Sequence, residues 1–252
     1  TLPAPTKPPK RKTAGRVVNE WELRTYLRCS QLHHFKGQVS YSLIQNTLRL
    51  TIEKMTVDTL RDGPEAYTYD KQLREVIYKE LKLHLILIEG EIDELFRKCV
   101  YFMNEFMKVF KTFTPVSGPI DLRCIIGKTP IEVRVAGIYK DLWGTEDSPT
   151  GLIFSPYTDK HAMMNDPLPY IARQLLINLR KRDHHVSSAN LHIVGIDTDN
   201  SLLFSRLTKD SLSSLNLLSS VKAMEQGVHY PLLPCPYACE FKQTCFPRVQ
   251  AQ

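Results

Sequence analysis

Three thiols crowd the end of this 252-residue chain, in the run Cys235-Pro-Tyr-Ala-Cys239-Glu-Phe-Lys-Gln-Thr-Cys245, stiffened by Pro234, Pro236 and Pro247. The run shows little helical or strand periodicity, so its thiolates can turn toward one point, and sulfur donors favour zinc or an iron–sulfur cluster. Three ligands leave a fourth open, with Cys29, Cys99, Cys124 and His229 as candidates. Cys99 falls in an apolar helical stripe and Cys124 in a strand, both ordinary places for a buried thiol. Cys29 lies instead beside Arg28, Ser30 and Gln31, a polar setting that a core thiol does not need. The competing reading is a set of unliganded cysteines in a loosely structured tail.

Charge separates the chain into two parts. Residues 1–16 hold Lys7, Lys10, Arg11, Lys12, Arg16 and four prolines with no acid, which marks a disordered basic arm. The remaining residues carry 28 bases and 27 acids, an almost neutral body. Hydrophobic content of 42% and charged content of 24% are those of a globular protein, which excludes wholesale disorder. No apolar run approaches the roughly 18 residues of a membrane span, and no apolar signal core opens the chain. The expectation is an intracellular protein, cytoplasmic or nucleoid-associated, or nuclear in a eukaryote, where clustered cysteines point to metal rather than to disulfides.

The elements that must position these residues follow from periodicity. Asn19 with Glu22 forms a plausible capping box ahead of Trp21, Leu23, Tyr26, Leu27, Leu32 and Phe35 at helical spacing. Further helices are expected over 43–60, 73–87 and 91–110, with Gly63-Pro64 as a breaker. From Pro115 the pattern turns to β, with strands expected over 120–126, 131–139 and 151–154. A helix over 169–181, a strand pair over 191–196 and 202–207, and a last helix over 211–226 ended by Gly227 complete the chain.

With these elements in order, the chain resembles the iron–sulfur branch of the RecB-type PD-(D/E)XK nucleases, the group of Cas4, the AddB nuclease domain and exonuclease V. The resemblance rests on one cysteine in an N-terminal helix, three after Gly227-x-x-x-Pro231, a strand with Gly137-Ile-Tyr-Lys140, a strand running into Ser155-Pro-Tyr157, and a helix with Gln174-Leu175. It implies an α/β fold with a restriction-endonuclease-like core, a mixed central sheet flanked by helices, preceded by a helical elaboration. It implies one domain over 17–252, divided as a helical part 17–114, a sheet core 115–230 and a metal-cluster segment 231–247. It also implies a [4Fe–4S] cluster on Cys29, Cys235, Cys239 and Cys245, with zinc as the alternative metal. Three residues separate Cys235 from Cys239 where the family usually has two, and Ser30 stands where proline often follows the first cysteine.

The same resemblance exposes a chemical loss. Nucleases of this group hold Mg²⁺ or Mn²⁺ on carboxylates and use a lysine to position water. At those positions this chain has Lys140, Ser155 and Tyr157, which offer no seat for either cation. A rival alignment takes Asp121 and Glu132 as metal ligands, with Arg134 in place of the lysine, and Arg is a poor base because it stays charged. The expectation is therefore a catalytically inactive nuclease-like protein. It binds nucleic acid, most simply DNA, or serves as a non-catalytic subunit of a replication, repair, recombination or transcription complex. The alternatives are an active exonuclease using Asp121 and Glu132, and a zinc-stabilised protein–protein scaffold. Expected phosphate contacts are Arg173, Gln174, Arg180, Lys181 and Arg182, a second group of Arg28 and Lys36 near His33 and His34, and Lys10, Arg11 and Lys12 of the arm.

Overall fold

The structure, a computed structural model, describes residues 17–36, 41–84, 89–140, 149–181, 189–207 and 214–229. Their mutual contacts form two compact units. The smaller takes its described residues from 17–36, 124–132 and 214–229, and the larger takes the rest. Among the described residues no helix is long and apolar enough to cross a membrane.

In the larger unit, α3 (Leu43–Asp62) begins at a full capping box. The Ser42 hydroxyl accepts from the Gln45 amide at 3.3 Å, and the Gln45 side chain accepts from the Ser42 amide at 3.1 Å. Gly63, with φ +86°, ends it, and Pro64 blocks its continuation. The buried face of α3 is partly polar, and Thr51 and Thr56 satisfy their hydroxyls on the carbonyls of Thr47 and Ile52. Helices α4 (Tyr69–His84) and α5 (Glu89–Phe110) pack with α3, placing Ile52, Ile77, Phe102 and Phe106 in one apolar core.

This core lies against one face of a sheet in the order β2 (Thr114–Ser117), β5 (Gly137–Lys140), β6 (Thr150–Phe154), β7 (Asn190–Ile196), β8 (Leu202–Leu207). The first two pairings are antiparallel, β6 and β7 run parallel, and β8 returns antiparallel through a hairpin. Helix α7 (Leu168–Lys181) makes the crossover that the parallel pair requires, after the short α6 (Lys160–Met164). Alternation along β6 sends Leu152 and Phe154 into the α3–α5 core. Gly151 faces α7, and a methyl group there would come within 2.5 Å of Leu176.

The smaller unit carries β1 (Val18–Asn19), α1 (Glu20–Arg28), α2 (Ser30–Lys36) and α8 (Ser214–Glu225). Strand β4 (Thr129–Val135) stands between β1 and β3 (Ile120–Ile126), with Val18 opposite Ile131 in parallel register. Gly127, at φ +69°, makes the turn between β3 and β4. Helix α8 ends at Gly227 in a Schellman arrangement, with Val228 bonded to the Ala223 carbonyl and Gly227 to that of Met224.

Three differences from the periodicity have physical reasons. The helix expected across 19–35 is two helices, because Cys29 takes an extended conformation at φ −163°. A single extended residue leaves the apolar spacing on both sides nearly unbroken, so the pattern hides the break. The strand expected across 131–139 is also two. It divides at Ala136, whose N–H bonds the Leu152 carbonyl at 2.7 Å, and β4 and β5 belong to different sheets. Strand β2 escaped the pattern because Pro115 weakens it, and an edge strand tolerates proline. The Asn19 cap is present, accepting from the Glu22 amide at 2.9 Å, but the Glu22 carboxylate turns to His33 at 3.3 Å instead of closing a capping box.

Candidate functional site

Among the described residues of the larger unit, the fullest constellation of charge centres on Arg134. Its Nε and Nη2 donate to the two oxygens of Glu53 at 2.9 and 3.0 Å, and its Nη1 donates to both oxygens of Asp121 at 3.0 and 3.1 Å. Arg49, one turn before Glu53 on α3, adds a bond at 2.6 Å to the same Glu53 oxygen that Arg134 Nε holds. Arg49 is itself held by Asn46, which bonds Glu80 at 3.0 Å. Glu53 is 5% exposed, whereas the Arg134 and Asp121 side chains are 37% and 40% exposed. The hydrogen bond to Glu53, above all, raises the Arg134 pKa further, so its charge is permanent.

This geometry bears directly on the rival metal site. Of the two ligands that alignment names, Asp121 and Glu132, Asp121 already has both oxygens hydrogen-bonded to the guanidinium, which a divalent cation there would have to displace. An arginine there neutralises the carboxylates, but it neither coordinates water nor takes up a proton. Glu53 is the member that sequence reasoning missed. The signal was the Arg49–Glu53 spacing of four inside the largely apolar and threonine-rich run 48–59.

Of the positions aligned with the family motif, Lys140 is not brought to Ser155. Tyr139 pairs with Thr150 across antiparallel strands, so Lys140 lies beyond the start of β6 while Ser155 follows its end. Six residues of extended chain between those points span on the order of 20 Å. Ser155 is fully buried; its amide bonds the Val194 carbonyl at 2.7 Å and its hydroxyl accepts from the Tyr157 amide at 3.2 Å. The start of α3 pins the same turn: the Tyr41 hydroxyl donates to the Phe154 carbonyl at 2.7 Å and Gln45 Nε2 to that of Pro156 at 3.2 Å. These are structural bonds, and Ser155 is a turn-fixing residue rather than a surface group.

The expected nucleic-acid contacts divide in the same way. Arg173 is 5% exposed and its Nε donates to the Ala189 carbonyl at 2.7 Å, so it ties α7 to the start of β7 and is not available to a phosphate. Its neighbour Gln174 is exposed and bonds Asn178 at 3.4 Å. Arg180 and Lys181 belong to the last turn of α7. Arg28 closes α1 and Lys36 closes α2. Arg182, Lys10, Arg11 and Lys12 lie outside the described residues.

In the smaller unit, Cys29 caps α1 as a half-buried thiol without a disulfide. Its surroundings hold the returning chain: the Tyr26 hydroxyl donates to the Val228 carbonyl at 2.6 Å, and His229 Nδ1 bonds the Ser30 carbonyl at 2.8 Å. The His229 ring also lies 5.7 Å from that of His33 and 4.8 Å from that of His34. Burial lowers the His229 pKa, the Ser30 carbonyl opposes this, and the two neighbouring imidazoles add to the lowering. Among the described residues no group of three or more His, Cys, Asp or Glu is arranged to hold a metal, and Cys235, Cys239 and Cys245 lie outside them. Cys99 is buried in the α3–α5 core with its thiol pushed up to about 12 by burial, and Cys124 is half-buried with its thiol raised for the same reason.

Among solved structures, the chain is similar to one described as the crystal structure of SSO0001, with 15% identity, 84% of this chain and 87% of that one covered, and a TM-score of 0.29. No family model and no curated protein matches the chain.

Proposed function

We propose that this chain is a nuclease-like module without hydrolytic activity, which carries a [4Fe–4S] cluster and binds nucleic acid as a non-catalytic part of a DNA replication, repair, recombination or transcription complex. The observation that carries this reading is the closure of Asp121, one ligand of the rival metal site, on Arg134, whose guanidinium also binds Glu53, together with the loss of the family's carboxylates and lysine at Lys140, Ser155 and Tyr157. The mixed sheet flanked by helices, with α7 following the β5–β6 pair, accords with the order of elements that the resemblance implies. Cys29, Cys235, Cys239 and Cys245 would hold the cluster. In support, Tyr26 and His229 bring the chain back beside Cys29, and Cys235 follows six residues later, within about 20 Å of extended reach. Such a cluster supplies a cross-link between distant parts of the chain, and its binding energy is also folding energy. The nucleic-acid contacts, with Arg173 set aside, are Gln174, Arg180, Lys181 and Arg182, then Arg28 and Lys36, and the basic arm with Lys10, Arg11 and Lys12.

Anaerobically purified protein is expected to show a broad visible iron–sulfur band, to contain iron, to bind single-stranded DNA with strong salt dependence, and to leave it intact with Mg²⁺ or Mn²⁺. Cleavage that disappears in an Asp121→Ala, Glu132→Ala double variant overturns the inactive assignment. Colourless protein holding zinc and no iron replaces the cluster with a structural zinc.

A further inference from the structure

A cavity of about 420 Å³ opens in the larger unit, where the end of α5 turns into β2 beside α3. That volume is in the range of small-molecule sites. Its deep wall is aromatic: Phe106 and Phe110 stack at 4.2 Å and 13°, and Phe113 meets Phe110 edge-on at 4.7 Å. Tyr67 and Tyr139 contribute two further rings. Flat walls of this kind receive a flat ring through offset and edge-to-face contacts.

The polar groups are few. Inside, Thr56 and Tyr139 share a hydrogen bond, and burial keeps the Tyr139 phenol neutral, its pKa pushed up to about 12. At the mouth, Lys111, Thr112 and Thr114 are exposed to solvent. Among the described residues, Lys111 is the one charged residue lining the cavity, and no acid lines it. The apolar depth thus suits a ring system and the mouth suits an anion, with charge complementarity that an uncharged or cationic ligand would lack.

We infer that this cavity is a binding site for a small aromatic anion, a flat ring system of one or two fused rings seated among Phe106, Phe110 and Tyr139 with its anionic group at Lys111. The site shares no residue with the Arg134 cluster or with the cysteines, so it stands whether or not the nuclease-like assignment holds.

The test is a fluorescence titration of the full chain with 1-anilinonaphthalene-8-sulfonate, which has the required ring system and anion. Saturable binding at one site is expected. Lys111→Glu, at an exposed position, is expected to weaken it about tenfold, the effect of losing one charge-assisted contact and adding a repulsion. Lys108→Glu, one turn back and outside the cavity, is the charge-matched control and is expected to leave the affinity within about twofold. Thr59→Trp, which fills the cavity from α3, is expected to abolish binding while the circular dichroism spectrum is retained. Equal weakening by Lys111→Glu and Lys108→Glu overturns the assignment of the anion site. Absence of saturable binding by the unaltered protein, or undiminished binding by folded Thr59→Trp protein, overturns the cavity itself.

Discussion

Arg134 shows how one residue type decides what a pair of carboxylates can do. Its fork donates to all four oxygens of Glu53 and Asp121, and removing it would leave the buried Glu53 carboxylate with Arg49 as its remaining hydrogen-bond partner among the described residues. Arg134→Ala is therefore expected to lower stability by about 2 kcal/mol, below the usual figure for a fully buried pair because the guanidinium faces solvent on one side. Arg134→Lys should recover only part of it, since an ammonium cannot bridge two carboxylates in the same plane; urea unfolding measures both, and equal stability of the three proteins refutes the account. His229 makes a second prediction at this scale. Its folded pKa lies below the ordinary 6.5, so the unfolded chain takes up the proton first as pH falls. Its contribution to stability is complete above about pH 6.5, declines as the pH falls below that value, and levels off beneath the folded pKa. Melting temperatures between pH 7.5 and 5.5 should fall less steeply in His229→Gln than in the unaltered protein. Among the described residues the groups facing this ring are His33, His34, the Tyr26 ring and the Ser30 carbonyl, of which the carbonyl favours the charged form without outweighing burial.

The elements of the larger unit are fitted through small contacts. Gly151 is needed because β6 passes close under α7, and a Cβ there would stand 2.5 Å from Leu176 and 2.9 Å from Leu191. Gly151→Ala is expected to destabilise by about 1–3 kcal/mol through overpacking, and a Leu176→Ala partner change should relieve part of that loss in a double-mutant cycle. Strict additivity of the two changes would show that the approach of α7 to β6 is not what the glycine serves. The start of α3 has a double duty of the same kind. The capping box fixes the helix end, and Tyr41 and Gln45 then hold the turn after β6. That turn contains Ser155, which explains why a hydroxyl suits the position: it accepts the Tyr157 amide without burying a charge.

For the whole molecule, the decisive question is how distant parts of the chain are joined. Tyr26 and Val228 are 202 residues apart in sequence, yet a 2.6 Å hydrogen bond links them beside Cys29. On the proposed cluster, Cys29→Ala should lower both iron content and melting temperature, whereas Cys99→Ala should lower the melting temperature alone, because Cys99 fills the α3–α5 core. Unchanged iron in Cys29→Ala would remove it from the ligand set. The sequence by itself determined most of the helices and strands, the cap at Asn19, the stops at Gly63 and Gly227, and the crowding of thiols at 235–245, because each is written in neighbouring residues. The tertiary structure decided that Arg173 is a buried tie, that Lys140 and Ser155 lie far apart, and that Glu53 meets Asp121 through Arg134. Those outcomes depend on strand register and on pairings across tens of residues. A run of letters constrains its own backbone, but which distant partner a side chain meets is fixed only when the layers pack.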